Sequence, residues 1–370
     1  MEQILLAVTL AFLTTLFAIP KIIMVSEKKN LFDNPDAFRK LHKKPISSLG
    51  GLGIFLGFVL SILLTFNFFH VREFQYYTAC FVIIFFIGIK DDIMELSALK
   101  KLIGQALVAC IIMFKAHLLI TNMHGFLGIG SIFHTMSFFL TFFTIIVIIN
   151  AFNLIDGVDG LAASLGLVSC LVFGTFFLLN RNIPYAVIGF GFAGSLLGFL
   201  FYNFSPAKIF MGDTGSLLSG VVNSILVIKF IESGSAYKAY PVMAVPAIGF
   251  SILLVPLMDT LRVFGIRMFN GRSPFSPDRN HIHHLLLDRG FTHQQVTLSC
   301  VAISILFIVA AFSLQHLGTT WLIVGLISSF FTGIYCITKV PLKASMRVIK
   351  SDTAVDLETK RGKYISAGIV

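Results

Sequence analysis

Residues 138–160 read FFLTFFTIIVIINAFNLIDGVDG, and this stretch joins an apolar run to a group of polar side chains. The apolar part, near 138–153, is typical of a membrane-spanning helix, which takes about 20 mostly apolar residues. The run ends in three polar side chains and two glycines, at Asn153, Asp156, Gly157, Asp159 and Gly160. Because glycine lets the backbone turn and approach a ligand closely, the stretch predicts a membrane helix that ends in a functional turn.

The composition of the whole chain is also that of a membrane protein. Of the 370 residues, 56% are hydrophobic and only 12% are charged, with a mean hydropathy of +0.89. Soluble domains carry about 25% charged residues, so a soluble protein is excluded. The five cysteines lie in apolar segments without a CxxC pair, at Cys80, Cys110, Cys170, Cys300 and Cys336. We interpret them as small hydrophobic residues, neither disulfides nor metal ligands.

Further apolar segments predict an all-α, polytopic membrane protein with about eleven transmembrane helices. They lie near 4–25, 50–69, 74–90, 101–120, 138–153, 161–179, 184–202, 215–231, 241–266, 297–315 and 320–338. The first has no basic residue before it and is followed by positive charge, which argues against a cleaved signal peptide. The N-terminus is then outside and the C-terminus cytoplasmic. We predict one transmembrane domain over 1–338 and a polar, basic cytoplasmic tail over 339–370.

The formal charge of +10 has two interpretations, a nucleic-acid partner or the positive-inside rule. The basic residues flank apolar segments and form no separate basic domain, so we predict a membrane partner and no nucleic acid. Of the 28 Lys and Arg residues, all but five fall on the predicted cytoplasmic side, the exceptions being Arg72, Lys115, Arg181, Lys229 and Lys238. This bias supports the segmentation.

Acidic residues collect on the same predicted cytoplasmic side. They come from four separate segments, as Asp91, Asp92 and Glu95, then Asp156 and Asp159, then Asp213, and then Asp259. Each alone is open to a simpler interpretation, a polar residue at a helix end. Together they are harder to explain, since two carboxylates 4 Å apart repel by about 4 kcal/mol at an effective dielectric near 20. Such a cluster favours a bound cation, and its hard oxygen ligands favour Mg²⁺, with Mn²⁺ as a substitute.

Two more segments indicate anion binding. FMGDTGS at 210–216 predicts Asp213 as the N-cap of the eighth helix, where the free N–H groups of a helix form an anion site. SPFSPDRNHIHH at 273–284 predicts a long loop with Arg279 beside three histidines, His281, His283 and His284. A pyrophosphate clamp is favoured for this loop. A zinc site and a structural or pH-sensing loop remain alternatives.

Four motifs together resemble the polyprenyl-phosphate N-acetylhexosamine-1-phosphate transferases. They are Asp91-Asp92, NLIDGVDG at 153–160, FMGDTGS at 210–216 and HIHH at 281–284, in the family's order. The form SPDRNHIHH is similar to the WecA/TagO branch, which starts O-antigen, enterobacterial common antigen or wall teichoic acid synthesis. The peptidoglycan relative has three consecutive histidines, which Ile282 interrupts here. Glu95 departs from the family's Asp-Asp-x-x-Asp pattern, so we assign it no role beyond local polarity.

The resemblance implies an Mg²⁺-dependent transferase domain with its active site on the cytoplasmic face of a bacterial inner membrane. Undecaprenyl phosphate would attack the β-phosphorus of UDP-N-acetylglucosamine, and UMP would leave. The implied metal ligands are Asp213, Asp91 and Asp92. The implied catalytic residues are Asp91, Asp92, Asp156 and His281, with Asp91 engaging the lipid phosphate.

The resemblance also implies a set of substrate-binding residues, namely Asn153, Asp159, Phe210, Arg279, His283 and His284. Within it, Asp159 and Phe210 would lie at the uracil and the histidine loop at the pyrophosphate or sugar. Another UDP-sugar, such as UDP-MurNAc-pentapeptide, is the main alternative substrate. A transporter, which would show polar residues at mid-membrane, fits poorly because the acids cluster at one face. A homodimer stays open.

Overall fold

Long α-helices dominate the computed structural model, which describes residues 1–29, 46–66, 71–237, 239–271 and 281–339. The helices in these residues are α1 (Glu2–Lys29), α2 (Gly50–Thr65), α3 (Glu73–Ile93), α4 (Ala98–Phe114), α5 (His134–Ile155), α6 (Leu161–Leu179), α7 (Ile183–Asn203), α8 (Gly212–Ser233), α9 (Val245–Ile252), α10 (Leu254–Phe269), α11 (Ile282–Asp288), α12 (His293–Ser313) and α13 (Thr319–Lys339). Two short strands, β1 (Asn122–Phe126) and β2 (Ile129–Ser131), lie between α4 and α5.

Each of the eleven predicted segments contains a described helix. By length and composition, 7 described helices can cross a membrane, namely α1, α5, α6, α7, α8, α12 and α13, and α9 with α10 makes 8 if the pair is one span. The prediction of a polytopic membrane protein is therefore confirmed. Eleven crossings, the orientation of the termini and the division at residue 338 stay predictions, since residues 340–370 lie outside the described part of the chain.

The prediction of one helix over 241–266 is wrong, because this segment forms α9 and α10 with a bend of 81° between them. Pro256 has no N–H to donate to the carbonyl of Ile252, and its ring clashes with that carbonyl in a straight helix. The N–H of Leu253 instead makes a tighter bond to the carbonyl of Phe250, at 3.2 Å. Beyond the bend, α10 packs against α5 and α12 and carries Asp259.

The all-α prediction needs one correction, the antiparallel hairpin of β1 and β2. Gly125 and Gly128 reverse the chain there with φ angles of 80° and 79°, which glycine adopts without strain. The hydroxyl of Thr319 donates to the carbonyl of His124 at 2.8 Å. The hairpin therefore packs on the start of α13, at the end of the bundle where α5 begins.

Helix α8 forms the centre of the bundle. In the apolar 18-residue stretch of α8, 94% of the residues are buried, compared with 17% in α1 and 22% in α13. Helices α2, α3, α5 and α6 all pack against α8. Small and hydroxyl-bearing side chains permit this close packing. Ser219 and Ser224 are buried and donate to carbonyls four residues earlier, both at 2.8 Å. The N-terminus of α8 consequently lies in the middle of one end of the bundle.

Candidate active site

Asp92, in the last turn of α3, caps the N-terminus of α8. Its Oδ1 accepts the N–H of Asp213 at 2.7 Å, and its Oδ2 accepts the N–H of Thr214 at 3.0 Å and the Thr214 hydroxyl. Gly212 has a φ of 69°, and a Cβ there would overlap the Ser48 carbonyl and crowd Asp92. The prediction of Asp213 as the N-cap is wrong, because Asp213 lies in the first turn and Asp92 is the anion at this helix end.

Asp91 and Asp213 share one ammonium group, that of Lys101 in the first turn of α4. The Lys101 Nζ lies 2.6 Å from Asp91 Oδ2 and 2.7 Å from Asp213 Oδ2. The other Asp91 oxygen accepts the N–H of Leu96 at 2.6 Å, which fixes the turn after α3. The side chains of Lys101 and Asp213 are 24% and 25% exposed. Two carboxylates on one cation thus leave excess negative charge within reach of solvent.

Asn153 and Asp156 lie at the end of α5 beside these acids. The Asn153 amide donates to the Ser216 hydroxyl at 3.0 Å, which ties α5 to the first turn of α8. Asp156 accepts no hydrogen bond within the described residues. Burial of its carboxyl group, and then the charges of Asp213 and Asp92, raise the pKa of Asp156 to about 8. We call the group formed by Asp91, Asp92, Asp156 and Asp213 the acid end.

The acid end offers few protein ligands to a metal. No group of three or more His, Cys, Asp or Glu side chains within the described residues is arranged to hold one. Structural zinc takes four protein ligands and catalytic zinc takes three, so the zinc alternative for the histidine loop gains no support from the described residues. Mg²⁺ usually takes one or two carboxylates and completes its shell with water and substrate phosphates. Asp91 and Asp213 fit that need, whereas both oxygens of Asp92 already bind α8.

Asp159 is 4% exposed, and its bonds are directed inward. Its Oδ2 accepts the N–H of Ala207 at 3.1 Å, and its Oδ1 lies 3.1 Å from the Nδ1 of His293 at the start of α12. The hydroxyl of Thr297 donates to its carbonyl at 2.8 Å. Asp159 therefore ties the turn after α5 to α12. Phe210 is half-buried, and its N–H bonds the Ser47 carbonyl at 2.8 Å.

The described histidines of the predicted loop lie at the start of α11, not in a long loop. His281 is the N-cap, and its Nδ1 lies 2.7 Å from Asp259 Oδ2. The His283 ring stacks on that of His281, with centroids 5.5 Å apart and planes 5° apart. Burial, and then the neighbouring His284, lower the pKa of His283 to about 3, so this imidazole is neutral at pH 7. Arg279 lies outside the described residues.

Gly157 brings the histidines to the acid end. A Cβ at Gly157 would overlap the His283 imidazole, so only glycine leaves the ring room beside the turn after α5. The Nδ1 of His283 is buried and has no hydrogen-bond partner in the described part of the chain. The structure thus places two predicted groups together, the histidines of α11 and the acids after α5. Glu95 lies exposed beyond the end of α3.

Sequence reasoning missed Lys101, His293 and the contacts of Asp259. In the sequence, Lys101 is one of the basic residues of the predicted cytoplasmic side, and no motif spacing connects it with Asp213, which lies 112 residues away. His293 follows Thr292, whose capping box with Gln295 starts α12, and that helix signal says nothing about Asp159. In the sequence, Asp259 is one of several acidic residues on the predicted cytoplasmic side and belongs to none of the four motifs. Its position on a membrane helix beside Arg262 was the one available signal.

Comparison with known proteins identifies relatives along most of the chain. Residues 74–231 match the model of the family described as glycosyl transferase family 4. An undecaprenyl-phosphate alpha-N-acetylglucosaminyl 1-phosphate transferase of Escherichia coli K12 is 32% identical over 327 residues, 85% of this chain and 86% of that protein. A probable undecaprenyl-phosphate N-acetylglucosaminyl 1-phosphate transferase of Bacillus subtilis 168 is 35% identical over 322 residues, 87% of each chain.

Proposed function

The chain belongs to glycosyl transferase family 4, and from that membership we propose that it transfers N-acetylglucosamine-1-phosphate from UDP-N-acetylglucosamine to undecaprenyl phosphate. The membership confirms the family resemblance of the four motifs and makes the chain a membrane-spanning transferase. One observation carries the proposal, the convergence of Asp91 and Asp213 on Lys101. Transfer between phosphates depends on positioning and charge neutralisation, which such a cluster of mixed charges supplies.

The product would be a lipid-linked sugar that initiates a cell-surface glycan of the O-antigen, common-antigen or teichoic-acid type. The names of the relatives support the proposed acceptor and transferred group, because both contain undecaprenyl phosphate and N-acetylglucosaminyl 1-phosphate. The proposed donor is also supported by Ile282, which interrupts the run of histidines found in the relative that uses UDP-MurNAc-pentapeptide. That donor remains the alternative to be tested.

In the proposed reaction, an oxygen of the lipid phosphate attacks the β-phosphorus of the donor. The bond from that phosphorus to the oxygen bridging the two phosphates breaks, and UMP leaves with the electron pair. A phosphate monoester has a second pKa near 6, so at pH 7 the acceptor is mostly deprotonated and needs little help from a base. We therefore assign Asp91 a positioning role, with the Lys101 ammonium attracting the phosphate that Asp91 alone would repel.

We place Mg²⁺ at Asp213 and Asp91, with Mn²⁺ as a substitute and with Asp92 supporting Asp213 from behind. The support for this placement is that two carboxylate oxygens already converge on one cation, Lys101. A bound ion would neutralise charge on the diphosphate and on the departing UMP. Lys101 is then free to exchange carboxylate partners for phosphate oxygens.

The remaining groups would bind the donor. Asp156, with its raised pKa, carries a proton for much of the time at pH 7 and can donate to a phosphate oxygen without repelling it. Asn153, whose amide donates to Ser216 of α8, adds an uncharged polar contact. His281 and the neutral His283 offer ring nitrogens to the diphosphate or the sugar, with His284 beside them. Phe210 and Asp159 are proposed at the uracil.

The acid end is proposed to face the cytoplasm from the inner membrane. Lys90, Lys101 and Lys208 lie on the helix ends and loop that form this end of the bundle. Basic residues concentrate on the cytoplasmic side of membrane proteins, which supports this orientation.

A membrane assay tests the reaction and the sugar together. Membranes containing the protein are incubated with UDP-N-acetylglucosamine labelled in the sugar and with undecaprenyl phosphate, and UMP release and lipid-linked label are measured separately. We expect equal amounts of both, loss of both in EDTA, and recovery with Mg²⁺ or Mn²⁺. A parallel incubation uses UDP-MurNAc-pentapeptide, and lipid-linked product from that donor but not from UDP-N-acetylglucosamine would overturn the proposed donor. Full activity in chelator would overturn the proposed metal requirement.

A further inference from the structure

Asp259 is a buried carboxylate that no motif discussed above includes. It lies on α10, is 1% exposed and accepts three donors. Its Oδ2 lies 2.7 Å from the Nδ1 of His281, and its Oδ1 accepts the N–H of Ile282 at 2.8 Å and an Arg262 N–H at 3.2 Å. A carboxylate this buried is retained only with such partners, because an unpaired one costs several kcal/mol. Two of its three partners belong to the start of α11.

The contact fixes the chemistry of the His281 ring. An ionised carboxylate only accepts hydrogen bonds, so the Nδ1 of His281 carries the hydrogen in this pair. The Nε2 is consequently the nitrogen left for a ligand. The bond to Ile282 fixes the backbone beside the ring as well, so both the tautomer and the position of His281 depend on Asp259.

The constraint extends from His281 to the acid end. The His281 ring stacks on His283, and the His283 ring fills the space that the missing Cβ of Gly157 leaves. Gly157 follows Asp156 directly. A carboxylate on α10 thus determines where the two imidazoles stand relative to the acids after α5, although it touches none of those acids itself.

We propose that Asp259 is a positioning residue for the transfer, holding His281 with Nε2 free and the His281–His283 pair against the Asp156 turn. This inference rests on the proposed function, in which the two histidines contact the donor diphosphate. Asp259 has no direct contact with substrate in this scheme. A carboxylate that merely tied α10 to α11 would stabilise the fold without acting through His281.

A double-mutant cycle separates these two roles. The variants are Asp259→Asn, His281→Gln and the pair, with kcat and the donor KM measured on purified full-length protein in detergent. Partners that orient a functional histidine are worth about 10- to 100-fold in activity, and we expect Asp259→Asn to lower kcat by that factor, with KM changing less. In the His281→Gln background the same substitution should lower kcat less than twofold. Equal losses in both backgrounds would overturn the proposal.

Two further measurements keep the outcome decisive. Glu232→Gln makes the same carboxylate-to-amide change at the opposite end of the bundle, and it should leave kcat unaltered. If His281→Gln has no measurable turnover, Asp259→Glu is compared with Asp259→Asn, and the variant that keeps the charge should retain more activity. Full activity of Asp259→Asn would overturn the inference. A wild-type protein that makes no lipid-linked product would instead overturn the proposed function.

Discussion

The two ends of the helix bundle both carry charged and polar side chains, but they balance them differently. At the hairpin end, beside β1 and β2, Glu232 accepts two bonds from Thr121, at 2.7 and 2.8 Å. Tyr185 there bonds Tyr77 at 3.0 Å, and Lys229 lies over the Tyr185 ring. Here a single carboxylate, that of Glu232, has both of its oxygens hydrogen-bonded by one neighbouring residue. At the acid end, two carboxylates share one ammonium and a third is pushed towards its protonated form.

The difference indicates which end is built to receive a ligand. Like charges are brought together only where another group offsets their repulsion, and Lys101 offsets it in part. Among the described residues, the ion pairs at the hairpin end include none in which two carboxylates share one ammonium. Four substitutions test this contrast, ordered from the largest expected effect to the smallest.

Asp213→Asn should have the largest effect. We expect turnover to fall at least 100-fold while expression and membrane insertion are kept, because the change removes a ligand charge from a hard-cation site. Lipid-linked product is measured in membranes with matched protein content. Activity within tenfold of wild type would place the reacting phosphates elsewhere and would break the contrast between the two ends.

Lys101→Met should lower kcat about 10-fold or more, since it removes one charge-assisted contact to a phosphate. It should also tighten metal binding in the absence of substrate, because Mn²⁺ no longer competes with an ammonium for Asp91 and Asp213. Titration of Mn²⁺ followed by electron paramagnetic resonance measures that affinity independently of turnover. Weaker Mn²⁺ binding in Lys101→Met would show that the lysine helps to build the metal site.

The pair of Asp213 and Lys101 shows what a sequence can and cannot reveal. Asp213 stands in a recognisable motif, and its place near the N-terminus of α8 was predictable from the residues around it. The cap by Asp92 and the bridge by Lys101 depend on how α3, α4 and α8 meet, which local sequence does not encode. The turn at Gly157 was predictable, whereas the histidine ring that fills its space comes from a segment more than 100 residues away.

The bend between α9 and α10 teaches a related lesson about the fold. Pro256 was visible in the sequence, yet hydrophobicity alone suggested one span over 241–266. Hydropathy reports where a segment can lie in a bilayer, not whether its backbone bonds continue. The bend matters for the site, because it directs α10 so that Asp259 meets His281.

Asp159→Asn should have an intermediate effect, mainly on stability. Asp159 accepts the N–H of Ala207 and lies beside His293 in a buried position, and leaving such a donor unsatisfied costs about 1–3 kcal/mol. We expect a lower thermal unfolding midpoint in detergent, with kcat changed less than the donor KM. A lower midpoint at unchanged KM would give Asp159 a role in the fold alone and would overturn its proposed position at the uracil. Phe210→Ala is the matched comparison, since it should raise KM without loosening α12.

Glu232→Gln at the hairpin end should have the smallest effect. The amide keeps one oxygen to accept from Thr121 but turns its N–H group towards the other donor, so one of the two bonds is lost. The site is partly exposed, and water can replace the missing partner. We expect kcat within twofold of wild type and a slightly lower unfolding midpoint. Because α8 carries both Asp213 and Glu232, a tenfold loss of kcat would mean that this helix couples the two ends. The hairpin end would then belong to the working part of the transferase.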